Sequence, residues 1–409
     1  MDIIKNNTTI VSIVAYISII ISIFFIVNAF WYNGILESAN LLNWDAEHYN
    51  YIKTNGYKGF RVAFFPLFPL LWKYSGFNVY GIVIANITIY LASFYLIIRM
   101  LKINNVFEIV LYLSIPSSIF FYLPYSESIF FLCSSLIIMG FINKRFLLIY
   151  LGLFFLILAR PAFAVIIPAL IITELLTSDD KKGYISRILI YILITLLGIS
   201  VVAIIQYLDT GNWFEFFTVQ KGWGNKLQIP KLPLTSWSGG FIVKVDGVAF
   251  LIGVLSGIFL LLLILKSQYI KRLNVSKVVI FSISYISGIT LLVLMYRGGS
   301  LFSLNRFIFA TPFIIVAVNY WLNNNVYLNN RMILKLFGLL IVFWLLFGSY
   351  VHIQVMLKYL LLSLYVLLFF LLKSDKKLVR KYSTVTLIVI NVFFQIFFYV
   401  RFLTGEWVG

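Results

Sequence analysis

Carboxylates are scarce in this chain. Only 14 Asp and Glu residues stand against 32 Lys and Arg in 409 positions, and charged residues of both signs make up 11%. A water-facing surface needs far more charge, which excludes an ordinary soluble domain. Cysteine is nearly absent: the single Cys133 forms no intrachain disulfide and binds no metal alone. There is no P-loop and no Gly-x-Gly-x-x-Gly turn. No polar segment exceeds about 45 residues, too short for a Rossmann-type nucleotide-binding unit. Use of ATP or of a nucleotide-activated substrate therefore has no visible support. Low-complexity tracts are missing, as are the duplicated halves that mark many secondary transporters.

What is present is hydrocarbon. Hydrophobic residues make up 62% of the chain and mean hydropathy is +1.00. Apolar runs of about 18–22 residues recur, each long enough to cross a bilayer as a helix. The expected fold class is therefore all-α: one polytopic transmembrane helical bundle over residues 1–409, with about thirteen helices. They centre near residues 20, 88, 114, 133, 152, 169, 198, 256, 287, 315, 343, 363 and 392. The run from Ile10 to Trp31 is too long for a signal-peptide core and lacks a small-residue cleavage site, so it is expected to be retained.

The net charge of +18 sits between the apolar runs rather than on one folded domain. That placement fits anionic lipid headgroups, not nucleic acid. With the N-terminus inside, short cytoplasmic segments hold 19 of the 32 basic residues, among them Arg187, Lys271, Arg272, Lys277 and the run Lys373–Lys381. Two long segments then face outside, residues 31–77 and 209–247. Arg160-Pro161 interrupts the apolar stretch from Leu147 to Glu174.

The first external loop contains Asn43-Trp44-Asp45-Ala46-Glu47-His48-Tyr49, which gathers two carboxylates and one of the two histidines. Residues 44–54 read as a short amphipathic helix lying flat at the membrane surface. Asn43 is its expected N-cap, and Gly56 ends it. Asp45, His48 and Tyr49 then share one face, at i, i+3 and i+4. Phe64-Phe65-Pro66-Leu67-Phe68-Pro69 bends the chain toward the next span. A carboxylate so placed is suited to take a proton from a hydroxyl nucleophile, with Glu47 and His48 tuning it or holding an acceptor. The plainer account is a helix N-terminus stabilised by acidic residues. Two carboxylates and one histidine are a weak metal signal; no metal ligand is assigned, and a divalent cation is not excluded.

Trp44-Asp45-x-x-His48-Tyr49, Gly56-Tyr57 and Ala63-Phe64-Phe65-Pro66-Leu67-x-Pro69-Leu70 together resemble the first lumenal loop of PIG-V-like mannosyltransferases. These are the second mannosyltransferase of GPI-anchor assembly and its prokaryotic relatives. Pro116-Ser117-Ser118-Ile119-Phe120-Phe121 with Tyr125-Ser126-Glu127-Ser128 resembles that family's next signature. Ala159-Arg160-Pro161 stands where relatives carry a Thr-Arg-Ser-Asn-like stretch. Val219-Gln220 with Trp223-Gly224-Asn225 is loosely similar to a later element. The resemblance covers roughly residues 10 to 165. It departs at Pro161, which replaces the family's Asn, and in the reduced Trp-Asn element.

The resemblance implies a GT-C glycosyltransferase. It would take a sugar, mannose in the family, from a polyprenyl-phosphate carrier and pass it with inversion to a lipid or glycan acceptor. Asp45 would serve as the base. The site would face the outside of a prokaryotic plasma membrane or the lumen of the endoplasmic reticulum. No cofactor is implied; the partners are membrane lipids and the two substrates.

The remaining site residues come from position. Glu127 lies at an external helix end and is costly near hydrocarbon unless it faces a partner or a wet cavity. Arg160 is suited to pair with Glu127 or to neutralise a phosphate leaving group, and Arg306 to the phosphate; Arg306 is preferred to Arg297 because it begins an apolar run. Trp44, Glu47, His48 and Glu127 are assigned to positioning donor or acceptor, as is Gln220 on its loose family likeness. Trp213, Trp223 and Trp237 in the second long loop suit sugar rings or a membrane interface equally well. Two competing readings stay open: a transporter or flippase of lipid-linked saccharides, and a non-catalytic subunit of a glycosylation complex.

Overall fold

A computed structural model describes residues 2–31, 36–178, 181–236, 240–269, 274–324 and 327–409. Trp237, Lys271 and Arg272, to which the sequence assigns roles, lie outside these residues. The regular structure among the described residues is helical, with no strand beyond two isolated bridges. The helices in chain order are α1 (Asp2–Trp31), α2 (Asp45–Asn55), α3 (Leu67–Ser75), α4 (Val79–Met100), α5 (Val106–Leu113) and α6 (Glu127–Asn143). There follow α7 (Phe146–Ala159), α8 (Phe163–Thr177), α9 (Lys181–Thr210), α10 (Glu215–Gly222), α11 (Gly240–Ser267) and α12 (Lys277–Tyr296). The last are α13 (Leu304–Phe309), α14 (Pro312–Asn323), α15 (Asn330–Trp344), α16 (Ile353–Leu371) and α17 (Lys377–Leu403).

Among the described residues, eight helices are long and apolar enough to cross a membrane. They belong to α1, α4, α9, α11, α12, α15, α16 and α17, and α15 runs on through a short 3-10 turn. A ninth follows if the 3-10 helix Pro116–Tyr122 and α6, bent by 105°, count as one span. Helical backbone is what such runs must adopt, because only a helix satisfies its own N–H and C=O groups in lipid. Expected centres near 152, 169 and 315 fall on helices of 14, 15 and 12 residues, and that near 114 follows an eight-residue helix. Prolines account for the short pieces: Pro116, Pro161 and Pro312 each stand at a break, where the ring removes an N–H and disfavours helix just before it.

The window of α12 is 67% buried and forms the bundle's centre, whereas α15 and α16 bury only 17% and lie at its edge. Close approach between α6 and α7 rests on Gly152, where a Cβ would stand 2.7 Å from the carbonyl oxygen of Cys133. The loop 31–77 holds α2 and α3. The loop 209–247 is shorter than expected at both ends, since α9 continues to Thr210 and α11 begins at Gly240. Its extended part runs beside the loop after α12: Lys226, Gln228 and Lys231 donate backbone N–H groups to the carbonyls of Tyr296, Met295 and Gly298. Gly299 (φ 96°) permits this contact, because any side chain there would meet the Lys231 carbonyl at 2.5 Å.

Candidate active site

α2 begins without its expected cap. Trp44 occupies the N-cap position with a positive φ of 57° and makes no side-chain cap bond. For a bulky residue this backbone costs about 1–3 kcal/mol and persists only where its surroundings over-determine it. Its indole packs edge-on against Trp407, 5.3 Å between ring centres. Asn43, the expected cap, instead donates its amide to the carbonyls of Asn40 (2.9 Å) and Phe402 (2.8 Å). It thus ties the first loop to the end of α17, a partner 359 positions away that local spacing does not register. Gly56 ends the helix as expected, with φ 72°.

Along α2, Ala46, Tyr49 and Ile52 are buried, which seats the helix on the bundle. Tyr49 donates its hydroxyl to Ser126 Oγ at 2.9 Å, fixing α2 to the turn before α6. That turn is held from beneath by Asn86 of α4, whose amide donates to the carbonyls of Leu123 (2.6 Å) and Tyr125 (2.9 Å). Glu127 follows at the first position of α6, with its side chain fully buried. Arg160 stands in extended backbone at the α7–α8 break, the conformation imposed by the following proline.

Arg306 joins these parts. Its Nη1 donates to Asp45 Oδ2 at 2.6 Å, and its Nε donates to Glu127 Oε1. Arg160 Nη1 donates to the same Glu127 oxygen, while Glu127 Oε2 has no hydrogen-bond partner. Two carboxylates and two guanidinium groups balance in charge, which the near-complete burial of Arg306 and Glu127 requires. Asp45 keeps 21% of its side chain exposed, so it is the member open to an incoming group. The Arg306 guanidinium also lies over the rings of Phe120 (5.1 Å) and Tyr125 (4.7 Å). Burial pushes the Arg306 guanidinium down, but Glu127 and Asp45 outweigh it and hold the group well above its usual range.

The remaining assigned residues divide. Glu47 turns away from Asp45, is largely exposed, and pairs with Arg61 at 3.7 Å. His48 packs against Phe64 (4.9 Å) and Trp223 (5.9 Å), and burial lowers its pKa, so it is neutral at pH 7. Gln220 does not join the carboxylates: its Oε1 accepts from Asn225 Nδ2 at 2.7 Å, and Asn225 Oδ1 accepts from Arg297 Nε at 3.3 Å. Arg297 is half-buried, and desolvation pushes it down to about 10, still cationic at neutral pH. Arg306 sits in the six-residue α13, which breaks at Ala310 before α14, rather than at the start of a span. Among the described residues no group of three His, Cys, Asp or Glu side chains is placed to hold a metal ion.

Three contributors escaped the sequence reading. Asp246 of α11, fully buried, accepts from the Asn305 backbone N–H and side-chain amide, both at 2.8 Å, and from Ser236 Oγ at 2.8 Å. It thereby sets the residue next to Arg306. Ser117 completes that hold, donating to Asn305 Oδ1 at 3.0 Å. Trp407 stacks on Phe302 at 5.2 Å and covers Arg306. The available signal for Asp246 was an ionisable residue entering an apolar run; Trp407 carried none. Compared with known proteins, the chain matches no family model, no curated protein and no solved structure.

Proposed function

We propose that the chain is an integral-membrane glycosyltransferase of the GT-C type. It moves a hexose, mannose by its resemblance to the PIG-V-like enzymes, from a polyprenyl-phosphate donor to a lipid-linked or glycan acceptor on the external or lumenal face. In this reading the shorter apolar helices cross or re-enter the bilayer with the long ones, approaching the thirteen segments of the sequence expectation. The observation that carries the proposal is the Asp45–Arg306–Glu127–Arg160 cluster. It puts a partly open carboxylate and paired guanidinium groups on the inner side of an interfacial helix.

The chemistry follows from those groups. Asp45 accepts the proton of the acceptor hydroxyl as its oxygen bonds to the anomeric carbon. The bond from that carbon to the phosphate oxygen breaks on the opposite face, so configuration inverts. The electron pair leaves with the lipid phosphate, whose charge Arg306 and Arg160 stabilise in a low-dielectric site. Glu127 keeps both arginines aimed, while Trp44 and His48 line the approach of donor and acceptor.

Purified protein incubated with a panel of radiolabelled polyprenyl-phosphate sugars and membrane lipid extract tests this. Label is expected to move to an acceptor from one donor, and Asp45→Asn is expected to cut the rate roughly 10²–10⁴-fold. Near-normal turnover in properly inserted Asp45→Asn would leave that carboxylate as a helix-end stabiliser. No transfer from any donor would favour a flippase or a non-catalytic subunit.

A further inference from the structure

After α17 the chain doubles back over the ion-pair cluster. The helix ends at Leu403, and Gly405, with φ 84°, turns the backbone. Glu406 then donates its backbone N–H to the Arg401 carbonyl at 2.9 Å and pairs its carboxylate with the Arg401 guanidinium. Trp407 and Val408 follow, both buried. Gly409 closes on Phe120, where a Cβ would stand 2.5 Å from the ring. Residues 404–409 thus lie as a cover on the cluster, with Trp407 stacked on Phe302 and set over Arg306.

The cover is held lightly. The Arg401–Glu406 pair is one-third to one-half exposed, so water and salt weaken it. Among the described residues, no hydrogen bond holds the backbone of Trp407 or Val408. Apolar contact supplies the remainder: Trp407 meets Phe302 and Trp44, and Val408 packs in the cluster of Leu41, Ile119 and Phe402. A segment fastened this way can withdraw and return without opening a helix.

Two atoms at this cover lack partners among the described residues. Trp407 Nε1 is buried without an acceptor, and Glu127 Oε2 is buried without a donor. A buried indole N–H ordinarily finds an acceptor, because leaving the bond unmade forfeits its lost hydration. Both side chains bear on Arg306: Glu127 accepts from its Nε, and the Trp407 ring centre lies 6.0 Å from its guanidinium carbon. The cluster is already balanced, two carboxylates against two guanidinium groups, so the missing partner is neutral. An ionised phosphate only accepts, and Glu127 would repel it. A hydroxyl both accepts and donates, and a polyhydroxylated ring carries several at different reach.

We propose that Trp407 is a specificity residue whose indole N–H donates to a ring hydroxyl of a sugar, with residues 404–409 withdrawing to admit the ring and closing on it. Resting on the transferase reading, the ring is that of the transferred hexose or of a saccharide acceptor. A lipid phosphate without its sugar lacks that hydroxyl, so Trp407 separates loaded from spent carrier.

The test measures equilibrium binding to the full-length protein in nanodiscs. The probes are undecaprenyl phosphomannose and phosphoglucose, monodeoxy analogues of whichever binds tighter, undecaprenyl phosphate and methyl α-mannoside. Trp407→Phe keeps a ring on Phe302 and removes the N–H. It is expected to weaken binding of the sugar-loaded lipid about fivefold to tenfold, the scale of one hydrogen bond, and to leave undecaprenyl phosphate unchanged. One deoxy analogue should bind the parent protein more weakly by the same factor and lose nothing further in Trp407→Phe. A selective loss on methyl α-mannoside instead would support the same bond and assign its hydroxyl to the acceptor. Arg401→Gln frees the clasp and should speed association and release of the loaded lipid alike. Unchanged binding of every sugar probe in Trp407→Phe, or equal losses with and without the sugar, would overturn the proposal and leave Trp407 a packing residue. Rates untouched by Arg401→Gln would overturn the moving cover. Binding is read without turnover: selective binding with no transfer from any donor would sink the transferase reading alone, whereas transfer with unselective binding would sink the role of Trp407 alone.

Discussion

Glu127 and Glu174 are both fully buried, and each has two cationic neighbours. They lie at opposite ends of α8, since Arg160 precedes that helix and Glu174 is in its last turn, about 20 Å away at helical rise. Glu174 uses everything it has: Oε2 accepts from Ser178 (2.7 Å), Arg187 (2.9 Å) and Lys277 (3.1 Å), and Oε1 accepts from Tyr191 (3.2 Å). Those partners bind α8, α9 and α12 to one another. Glu127 crowds both arginines onto one oxygen and leaves the other without a partner. Its network ends at the partly exposed Asp45 rather than closing on itself. Complete satisfaction is what a helix clamp needs, and an unfinished, charge-balanced cluster is what a site for an incoming group needs.

Substitutions can break this contrast. Arg306→Ala should have the largest effect, because it leaves the buried Glu127 with Arg160 alone and removes the partner of Asp45. A stability loss of about 3–5 kcal/mol is expected, read as a fall in the thermal unfolding midpoint in detergent. Glu174→Gln leaves Arg187 and Lys277 short of counter-charge, but both are partly exposed and water takes up some of the deficit. Its cost should be smaller, about 2–3 kcal/mol. Asn86→Leu sharpens the comparison from below, releasing two carbonyls of the turn that presents Glu127. A loss of about 1–3 kcal/mol is expected, with faster hydrogen exchange at residues 123–127.

The smallest effect concerns pH. Burial holds the His48 pKa below its ordinary 6.5, so the unfolded chain protonates first as pH falls. Stability should therefore decline below about pH 6.5 and level off once the folded pKa is passed. His48→Gln should flatten that part of the profile of unfolding midpoint against pH. An unchanged slope would show that His48 is not the group responsible.

Much of this was readable in the chain, and the unreadable parts share a cause. Apolar runs determine helices because lipid offers the backbone no other partner, and Gly56 stops α2 for a local steric reason. Asp45, Glu127, Arg160 and Arg306 each stood out singly as ionisable groups in apolar surroundings. That Arg306 is the group joining them did not, since Asp45 and Arg306 are 261 positions apart. The backbone of Trp44, the reach of Asn43 to Phe402 and the seat of Trp407 depend on tertiary packing alone. Gln220 drew notice from a sequence likeness, yet its amide is taken by Asn225. The number of long spans fell short of the apolar runs because prolines cut several of them into shorter helices.

The most direct measurement sets Glu127→Gln beside Glu174→Gln and records sugar transfer per folded molecule together with unfolding midpoint. Both variants should lose stability. On the transferase proposal, Glu127→Gln should also lose transfer by about 100-fold or more, since it misaims the arginines assigned there to the phosphate. Glu174→Gln should turn over like the parent protein once the folded fraction is accounted for. Normal turnover in Glu127→Gln, or an equal loss in both, would contradict the assignment of chemistry to one buried carboxylate and scaffolding to the other.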